Sequence, residues 1–469
     1  MKKTALILSL AVMLSAVSCS DVSDGRSGIS DSRSLSASTT ESGVKTSITI
    51  AIAESPDSWL GWQRVWEKAE KMNSGSGPYS VEIKHYEFDE DDNTGDSSVS
   101  RLSMDILAGK APDIISASPF QLDKFRKNGY LADIGALMDS GTGLNREDFL
   151  DNVIDSVEQD GEISVIYPAF TIYTAAAKTS LVGDSGNWTM HQAMDACNDF
   201  GGDFLADMYT KYDMRHYFFH GIMIDCIDFR GHTCDFSTEL PEVIDFLDSV
   251  PVMEKRFGDS TAVIGQIHDN TALVKEMWIP GISYYYADEI LRNFADEPFT
   301  FVGYPTNSGS GTYASVPSAF GIMANSKHKD EAWAVLSELF FGTTFQTEIS
   351  DNAYGIPVRK NVVENLLSRD ADAGQPSESE ADTSPKKPMP TSIRAPVELP
   401  DGTQMRLSDA QIKQLSDFIT SLEIDPFISP YMEWMIKEES DYVFEGERSA
   451  EQCADILQNR IGLYLSETQ

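Results

Sequence analysis

Basic residues are scarce in this 469-residue sequence. Lys and Arg total 36 against 74 Asp and Glu, which gives a formal net charge of −38. Because so negative a surface repels phosphate groups, we expect no nucleic-acid partner and no adhesion to anionic lipid through basic patches. The length exceeds what one hydrophobic core usually serves, so two or more lobes are expected.

The sequence also lacks the short motifs of common catalytic and cofactor sites. It contains no Gly-x-Ser-x-Gly, no Gly-rich phosphate loop followed by Lys, no Gly-x-Gly-x-x-Gly after a predicted strand and no Cys-x-x-Cys. His216 and His220 have the i, i+4 spacing of metal ligands on a helix, but the aromatic residues 217–219 between them favour packing. We therefore predict no catalytic residue, no cofactor and no metal.

Long apolar runs are absent except near the N-terminus. Lys2 and Lys3 precede the apolar residues 5–17, and small residues lead to Cys19. This segment is too short to span a bilayer and has the pattern of an export signal, so residues 1–19 are interpreted as a signal peptide. A cysteine directly after small residues resembles a bacterial lipobox, in which that cysteine carries lipid; ordinary cleavage near Cys19 is the alternative. Both alternatives place the mature chain outside the cytoplasm, and lipidation would anchor it to the outer face of the membrane.

Cysteine is rare as well, with five in the chain. If Cys19 carries lipid, Cys197, Cys226, Cys234 and Cys453 remain. Outside the cell these four permit two disulfides, in three possible connectivities. Cys226 and Cys234 are close enough in sequence to close a small loop, and the pairing stays open.

Strand and helix patterns alternate once the chain becomes apolar. Residues 20–45, rich in Ser, Gly, Asp and Thr, predict a flexible tether. Alternating Ile48, Ile50 and Ile52 predict a strand, and apolar residues at helical spacing in Trp62–Met72 predict a helix. Because further strands and helices follow in alternation, the sequence indicates an α/β fold.

Two extended runs divide the chain into lobes. Ser164–Ala177 and Phe299–Tyr304 predict crossover strands on either side of a block of about 130 residues. Residues 368–391, rich in Ser, Pro, Glu and Asp, predict a mobile insertion. The two predicted lobes, hinged at the crossovers, are residues 46–168 with 304–345 and residues 169–303 with 346–469.

Several aromatic residues stand beside Gly, Pro or predicted strand ends, where side chains often line ligand sites. Each of them either contacts a ligand or fills the core. Trp66 and Trp333 lie inside helical patterns and are assigned to the core. Trp278 is favoured as a ligand contact because Pro280 and Gly281 end regular structure just beyond it. The aromatic candidates for ligand contact are Trp59, Trp62, Phe120, Phe170, Tyr173, Trp278, Tyr313 and Tyr354.

Seven segments, in order along the chain, carry a family pattern. The segments are Ala108–Ile114, Gly129–Ile134, Ile166–Ala169, Asn187–Ala193, Ser326–Trp333, Gly355–Arg359 and Glu451–Glu467. The first reads Ala-Gly-Lys-Ala-Pro-Asp-Ile and the fifth reads Ser-Lys-His-Lys-Asp-Glu-Ala-Trp. Together they resemble the bacterial extracellular solute-binding proteins of family 1, the maltose-binding-like lipoproteins of sugar importers.

This resemblance implies a type II periplasmic-binding-protein-like fold, in which two α/β lobes close on a ligand. It implies a monomer that captures a carbohydrate, in particular an oligosaccharide, and delivers it to an ABC transporter permease. By position, the family's cleft corresponds here to residues 54–62, 116–120 and 170–173 and to Trp278, so that Glu54 joins the aromatic candidates. The chain departs from the family at Ala175–Lys178, where many members carry an Asn.

Two other functions stay open. One is a lipoprotein that binds another solute, such as a peptide or a polyamine. A polyamine site would need several carboxylates facing one cleft, which a net charge of −38 allows. A glycan-degrading enzyme would need two carboxylates at a fixed separation across a cleft. Asp and Glu are too abundant in this sequence for such a pair to be singled out.

We expect Cys19 to be lipidated. In a host that processes lipoproteins, the unaltered protein should partition into the detergent phase, because each buried CH2 of an acyl chain contributes about 0.8 kcal/mol. The variant Cys19→Ala should stay in the aqueous phase. If both proteins stay aqueous in this partitioning measurement, the anchor is absent.

Overall fold

The computed structural model describes the main body of the chain, in residues 45–53, 62–87, 96–141, 143–206, 211–250, 265–307, 311–370 and 390–467. The predictions on Cys19, Glu54 and Trp59 lie outside these residues, as do those on the signal and tether segments and on most of 368–391.

Strands and helices alternate along the described chain, as predicted. The elements up to residue 182 are β1 (Thr46–Ile52), α1 (Trp62–Ser74), β2 (Tyr79–His85), α2 (Asp96–Leu107), β3 (Ile114–Ala117), α3 (Pro119–Lys127), α4 (Ile134–Asp139), α5 (Asp151–Val157), β4 (Glu158–Gln159), β5 (Glu162–Ile163), β6 (Ala169–Lys178) and α6 (Thr179–Val182). The middle elements are α7 (Met190–Asp199), β7 (Asp203–Leu205), α8 (Lys211–Cys226), β8 (Ile227–Asp228), β9 (Thr233–Cys234), α9 (Glu239–Ser249), β10 (Ala272–Ile279), α10 (Tyr284–Phe294), β11 (Phe299–Phe301), β12 (Tyr313–Ser315) and β13 (Ala319–Ile322). The last elements are α11 (Lys329–Leu339), α12 (Thr343–Asp351), β14 (Ile356–Pro357), α13 (Lys360–Ser368), β15 (Val397–Glu398), β16 (Gln404–Met405), α14 (Asp409–Ser421), α15 (Pro430–Phe444) and α16 (Ala450–Glu467).

The first sheet has the strand order β13-β3-β1-β2. Strand β1 pairs in parallel with β2 and β3, while β13 is antiparallel to β3. Ile48, Ile50 and Ile52 are fully buried, which confirms the strand predicted from their alternation. Because helices connect the parallel strands, they cover the sheet. We call the cluster of buried side chains that includes Ile48, Ile50 and Ile52 the first core.

Strand β6 is the centre of the second sheet. Strand β10 pairs antiparallel with residues 172–177 of β6, and β11 and β12 pair with its opposite edge. The first two residues of β6 pair with β14, and β7 joins the far edge of β10. The sheet and the helices α7, α8, α9, α15 and α16 enclose a separate group of buried side chains, which we call the second core.

The chain crosses between the sheets at two places that we can locate from strand pairing. Ile166 bridges to Phe320 of the first sheet, whereas Ala169 already begins β6. The return lies between β12 and β13, so the return crossover predicted at Phe299–Tyr304 is wrong. Residues 299–301 pair with β6 inside the second sheet. The sequence alone could not show this, because a crossover and an internal strand both have the pattern of an apolar extended run. The lobe boundaries remain predictions.

Helices α14 and α16 begin as their sequences indicate. The hydroxyl of Ser449 accepts a hydrogen bond from the amide of Gln452 at 3.2 Å, and the side chain of Gln452 accepts one from the amide of Ser449 at 2.9 Å. This reciprocal cap starts α16, and an equivalent pair, Ser408 and Gln411, starts α14. None of the described helices is both long and apolar enough to cross a bilayer.

Two tryptophans of α1 differ from the sequence interpretation. Trp62 is 1% exposed, and its ring makes edge contacts with Phe320 and Phe340 at centroid distances of 6.1 and 5.6 Å. Trp66, which was assigned to the core, is 37% exposed. The buried positions of α1 are Trp62, Val65 and Ala69, so the apolar stripe passes beside Trp66. Trp62 is therefore a core residue in this conformation, with no face left for a ligand.

The four cysteines of the body are free in the structure, so neither of the two permitted disulfides is present. In the β8–β9 hairpin, Ile227 pairs with Cys234, and the amide of Asp235 donates to the carbonyl of Cys226. Cys226 is the last residue of α8 and Cys234 lies in β9, and the two are not joined by a disulfide although they are close in sequence.

We expect Trp62→Ala to lower the free energy of unfolding by about 3–5 kcal/mol, because it removes a large buried side chain and leaves a cavity. The matched change Trp66→Ala removes a partly exposed indole from the next turn of the same helix and should cost much less. Chemical denaturation of both variants measures the difference. Equal losses would show that the two indoles contribute alike to the first core.

Candidate functional site

Three aromatic side chains form a row across the second sheet. Trp278 of β10 is the register partner of Tyr173 on β6, and Tyr313 of β12 is the partner of Tyr173 on the other edge. Directly opposite residues share a face of a sheet. The rings of Tyr173 and Tyr313 stack at 5.0 Å with an interplanar angle of 3°, and Trp278 is 54% exposed. We call Trp278, Tyr173 and Tyr313 the aromatic row.

The local structure at Trp278 differs from the structure that the sequence predicted there. The indole was expected where regular structure ends, but β10 continues through Ile279, and Trp278 is a paired strand residue. Its exposure therefore results from its place on the sheet face and not from a break in the backbone. Pro280 ends the strand one residue later, since it has no amide hydrogen to continue the pairing.

Phe170 and Tyr173, both predicted to contact ligand, lie on opposite faces of β6. Side chains alternate along a strand, and Phe170 and Ile172 belong to the first core while Ala175 and Ala177 belong to the second. Phe170 is fully buried. The structure therefore places Tyr173 with the aromatic row and Phe170 in the first core.

Phe120 and Tyr354 lie elsewhere. The ring of Phe120 stacks with His232 and with Tyr464, at centroid distances of 5.8 and 5.5 Å, and is 4% exposed. It joins α3 to the β8–β9 hairpin and to α16 in this conformation. Tyr354 is partly buried against the first core. The described structure brings neither residue to the aromatic row.

Glu276 connects the aromatic row to helix α8. It precedes Trp278 by two residues on the same face of β10, and its Oε1 accepts hydrogen bonds from His216 Nδ1 at 2.8 Å and from the Tyr304 hydroxyl at 2.9 Å. Burial raises the pKa of Glu276, but the hydrogen bond and charge of His216 outweigh it, so the pKa is lowered overall. Burial lowers the pKa of His216, and the Glu276 carboxylate reverses that effect and raises it. Between about pH 4.5 and pH 6.5, the ordinary pKa values of the two groups, they therefore form an ionised pair.

His220, one turn along α8, is neutral. Burial and then the positive charge of His216 lower the pKa of His220 to about 4. Its ring stacks with Tyr304 and Tyr313 at centroid distances of 4.4 and 5.4 Å. An i, i+4 pair shares one helix face, so α8 presents one charged and one neutral imidazole beside the aromatic row.

Glu433 on α15 adds a second carboxylate. One oxygen of Glu433 and one ring nitrogen from each of His216 and His220 lie within 4.8 Å of one another. Burial raises the pKa of Glu433. Its Oε1 is buried and has no hydrogen-bond partner among the described residues.

Sequence reasoning missed both carboxylates. Glu276 had a usable signal, because it stands two residues before Trp278 in an apolar run and must share its strand face. Glu433 had none, because its partners lie on a helix that is distant in sequence. The spacing of His216 and His220 was noted but interpreted as packing, and the ring of His220 does pack, against Tyr304 and Tyr313.

Aromatic faces beside charged hydrogen-bonding groups suit a ligand with both apolar and polar surfaces. Trp278 offers an exposed ring face, whereas Tyr313 is 3% exposed and stacks behind Tyr173. Glu276, His216 and Glu433 offer acceptors and a donor within the same cluster. Binding sites for small molecules commonly combine such aromatic walls with a few fixed polar groups. The arrangement can therefore hold and orient a small polar molecule.

Comparisons with known proteins were made in sequence and in structure. A family model described as "Bacterial extracellular solute-binding protein" matches residues 67–375, more than half of the chain. None of the curated protein sequences matches the chain.

Solved structures resemble the chain over most of its length. An extracellular solute-binding protein of family 1 from Alicyclobacillus acidocaldarius has a TM-score of 0.52 and 14% identity, covering 91% of this chain and 100% of that one. The sugar-binding protein MalE from Xanthomonas citri has a TM-score of 0.52 and 12% identity, covering 90% and 98%. A structure described as a de novo designed esterase has a TM-score of 0.50 and 15% identity, covering 91% and 100%. At such identities the likeness concerns the fold alone.

We expect Tyr304→Phe to lower the free energy of unfolding by about 1.5–3 kcal/mol, because the ionised Glu276 loses a buried hydrogen bond. The control Tyr285→Phe removes a hydroxyl from a side chain that is 47% exposed on α10 and should have little effect. Thermal and chemical denaturation of the two variants test this. Equal stability of Tyr304→Phe and the unaltered protein would mean that the hydrogen bond makes no net contribution.

Proposed function

The chain belongs to the bacterial extracellular solute-binding proteins, and from that premise we propose that it captures a carbohydrate on the aromatic row. It then delivers the carbohydrate to an ABC transporter permease. In this proposal the protein acts as a monomer, is held on the outer face of the membrane by lipid on Cys19, and releases its ligand unchanged. The predicted family and two-lobed α/β fold are confirmed by the family match and by the similar structures.

The exposed indole of Trp278, in register with Tyr173 and Tyr313, carries the proposal. A sugar ring has flat C–H faces that pack on aromatic rings and hydroxyl groups that need hydrogen-bond partners at its edge. Trp278 is among the exposed large apolar side chains of the described residues, at 54%. The ionised pair of Glu276 and His216 lies beside it and is already oriented, so binding pays little for ordering these groups.

The resemblance to a sugar-binding structure supports the same ligand class. MalE from Xanthomonas citri is named for sugar binding, and its fold matches 90% of this chain. Fold alone does not decide the ligand, and the proposal therefore depends on the aromatic row and not on that likeness.

A second candidate is a cationic solute such as a polyamine. One observation favours it: Oε1 of Glu433 is buried without a hydrogen-bond partner among the described residues, and a cation would satisfy it. The net charge of −38 would also raise the local concentration of a cation. Sugars and polyamines differ in charge, so the salt dependence of binding separates them.

A thermal-shift screen identifies the ligand class. We expect mono- or oligosaccharides to raise the melting temperature, because a ligand that binds only the folded state stabilises it. A rise with polyamines alone, lost at high salt, would replace the proposal by the second candidate. Appearance of product from a bound glycan would show that the protein is an enzyme instead.

We expect Trp278→Ala to weaken binding of the best carbohydrate by about 2 kcal/mol or more, the usual scale for an aromatic hot spot, which is more than about tenfold in Kd. Stability should change little, because the indole is half exposed. Trp66→Ala is the matched control, since it removes an indole of lower exposure from α1. Calorimetric titration and thermal melting measure both quantities. Unchanged affinity in Trp278→Ala would remove the aromatic row from the site.

A further inference from the structure

Two helices bring three metal-ligating side chains together. His216 and His220 lie one turn apart on α8, and Glu433 lies on α15. One ligand atom from each of the three residues lies within 4.8 Å of the others. Imidazole nitrogen and carboxylate oxygen are common ligands of Zn²⁺.

The hydrogen bonds of the two imidazoles leave one nitrogen of each neutral ring unprotonated. Nδ1 of His220 is 2.7 Å from the carbonyl oxygen of His216, and a carbonyl oxygen can only accept, so Nδ1 carries the proton. Nδ1 of His216 is 2.8 Å from Oε1 of Glu276, an ionised acceptor. When the rings are neutral, Nε2 of each holds the free lone pair.

This pattern is the one that metal-binding histidines show. Such a histidine almost always donates its other ring N–H to a carboxylate or a backbone carbonyl, which fixes the tautomer and the orientation of the ring. Here His216 has the carboxylate of Glu276 and His220 has a backbone carbonyl. The partners that would support a metal are therefore present on elements that also build the sheet and the core.

Glu433 supplies an independent indication. Its Oε1 is buried and lacks a hydrogen-bond partner among the described residues. A buried carboxylate oxygen without a partner is costly, and a bound cation would satisfy it.

We propose that His216, His220 and Glu433 bind a Zn²⁺ ion, with Glu276 orienting His216. Two nitrogen ligands and one oxygen ligand favour Zn²⁺ over Mg²⁺ and Ca²⁺, which prefer oxygen alone. Three protein ligands leave a fourth position for water or for an oxygen atom of a bound molecule. This site goes beyond the proposed capture of a solute and does not depend on which solute is bound.

Metal affinity of the whole protein tests the site. After treatment with a chelator, Zn²⁺ is titrated against a competing chromophoric chelator, in excess Mg²⁺ so that surface carboxylates are occupied. We expect one tight Zn²⁺ ion per chain. Glu433→Gln and His216→Gln should each weaken binding by at least the roughly 10–100-fold that loss of a supporting partner alone costs. Circular dichroism and melting curves show whether each variant is folded.

The matched control uses another histidine and glutamate in contact. His191 Nε2 lies 2.9 Å from Glu242 Oε1, with both side chains well exposed. His191→Gln and Glu242→Gln should leave the tight Zn²⁺ ion unaffected, because that pair lacks a third ligand and buried supporting partners.

Substitution by Co²⁺ gives a second measurement, since a four-coordinate site produces intense visible absorption and an adventitious surface ion does not. We expect this absorption in the unaltered protein and its loss in Glu433→Gln.

Absence of a stoichiometric tight ion would overturn the proposal. The same affinity in the folded Glu433→Gln and His216→Gln variants, or an equal loss in the controls, would overturn it as well. Loss of carbohydrate binding in Trp278→Ala with Zn²⁺ binding intact bears on the proposed function only.

Discussion

The two faces of strand β6 are the constraint on which the rest of the structure depends. Its alternating side chains belong to two different cores: Phe170 and Ile172 face the first, and Ala175 and Ala177 the second. A slip of one residue would exchange the two sets and bury Tyr173 in the wrong core. Because β10, β11 and β12 all take their register from β6, this alternation also determines that three aromatic residues meet in one row.

The charge arrangement follows from that register. Glu276 shares a strand face with Trp278, and this face is the one on which His216 of α8 lies. Its Oε1 accepts hydrogen bonds from both His216 and Tyr304. The resulting charge on His216 helps to keep His220 neutral one turn away. The cluster thus places an ionised pair and a neutral imidazole side by side, and the difference arises from their neighbours and not from residue type.

Sequence patterns predicted the fold and its local elements, but not which side chains meet across the fold. The alternation of Ile48, Ile50 and Ile52 identified β1, because a strand with one buried face has period two. Trp62, predicted to contact ligand, is buried in this conformation. A residue at a helix start beside a loop suits either a core or a cleft, and only the packed sheet decides between them. Among the predicted contacts, Tyr173, Trp278 and Tyr313 come together, whereas Glu433 could not be foreseen, because it meets its partners only through tertiary packing of α15 on α8.

Contacts outside the aromatic row limit how the two sheets can move. Phe120 begins α3, which packs on the first sheet, yet its ring stacks with His232 and Tyr464 of the second half of the structure. Arg230 of the same hairpin donates a hydrogen bond to the carbonyl of Ser156 at 2.8 Å. Rotation about the crossover strands would separate these side chains before it disturbed either core. These side-chain contacts therefore contribute part of the free energy that holds this conformation.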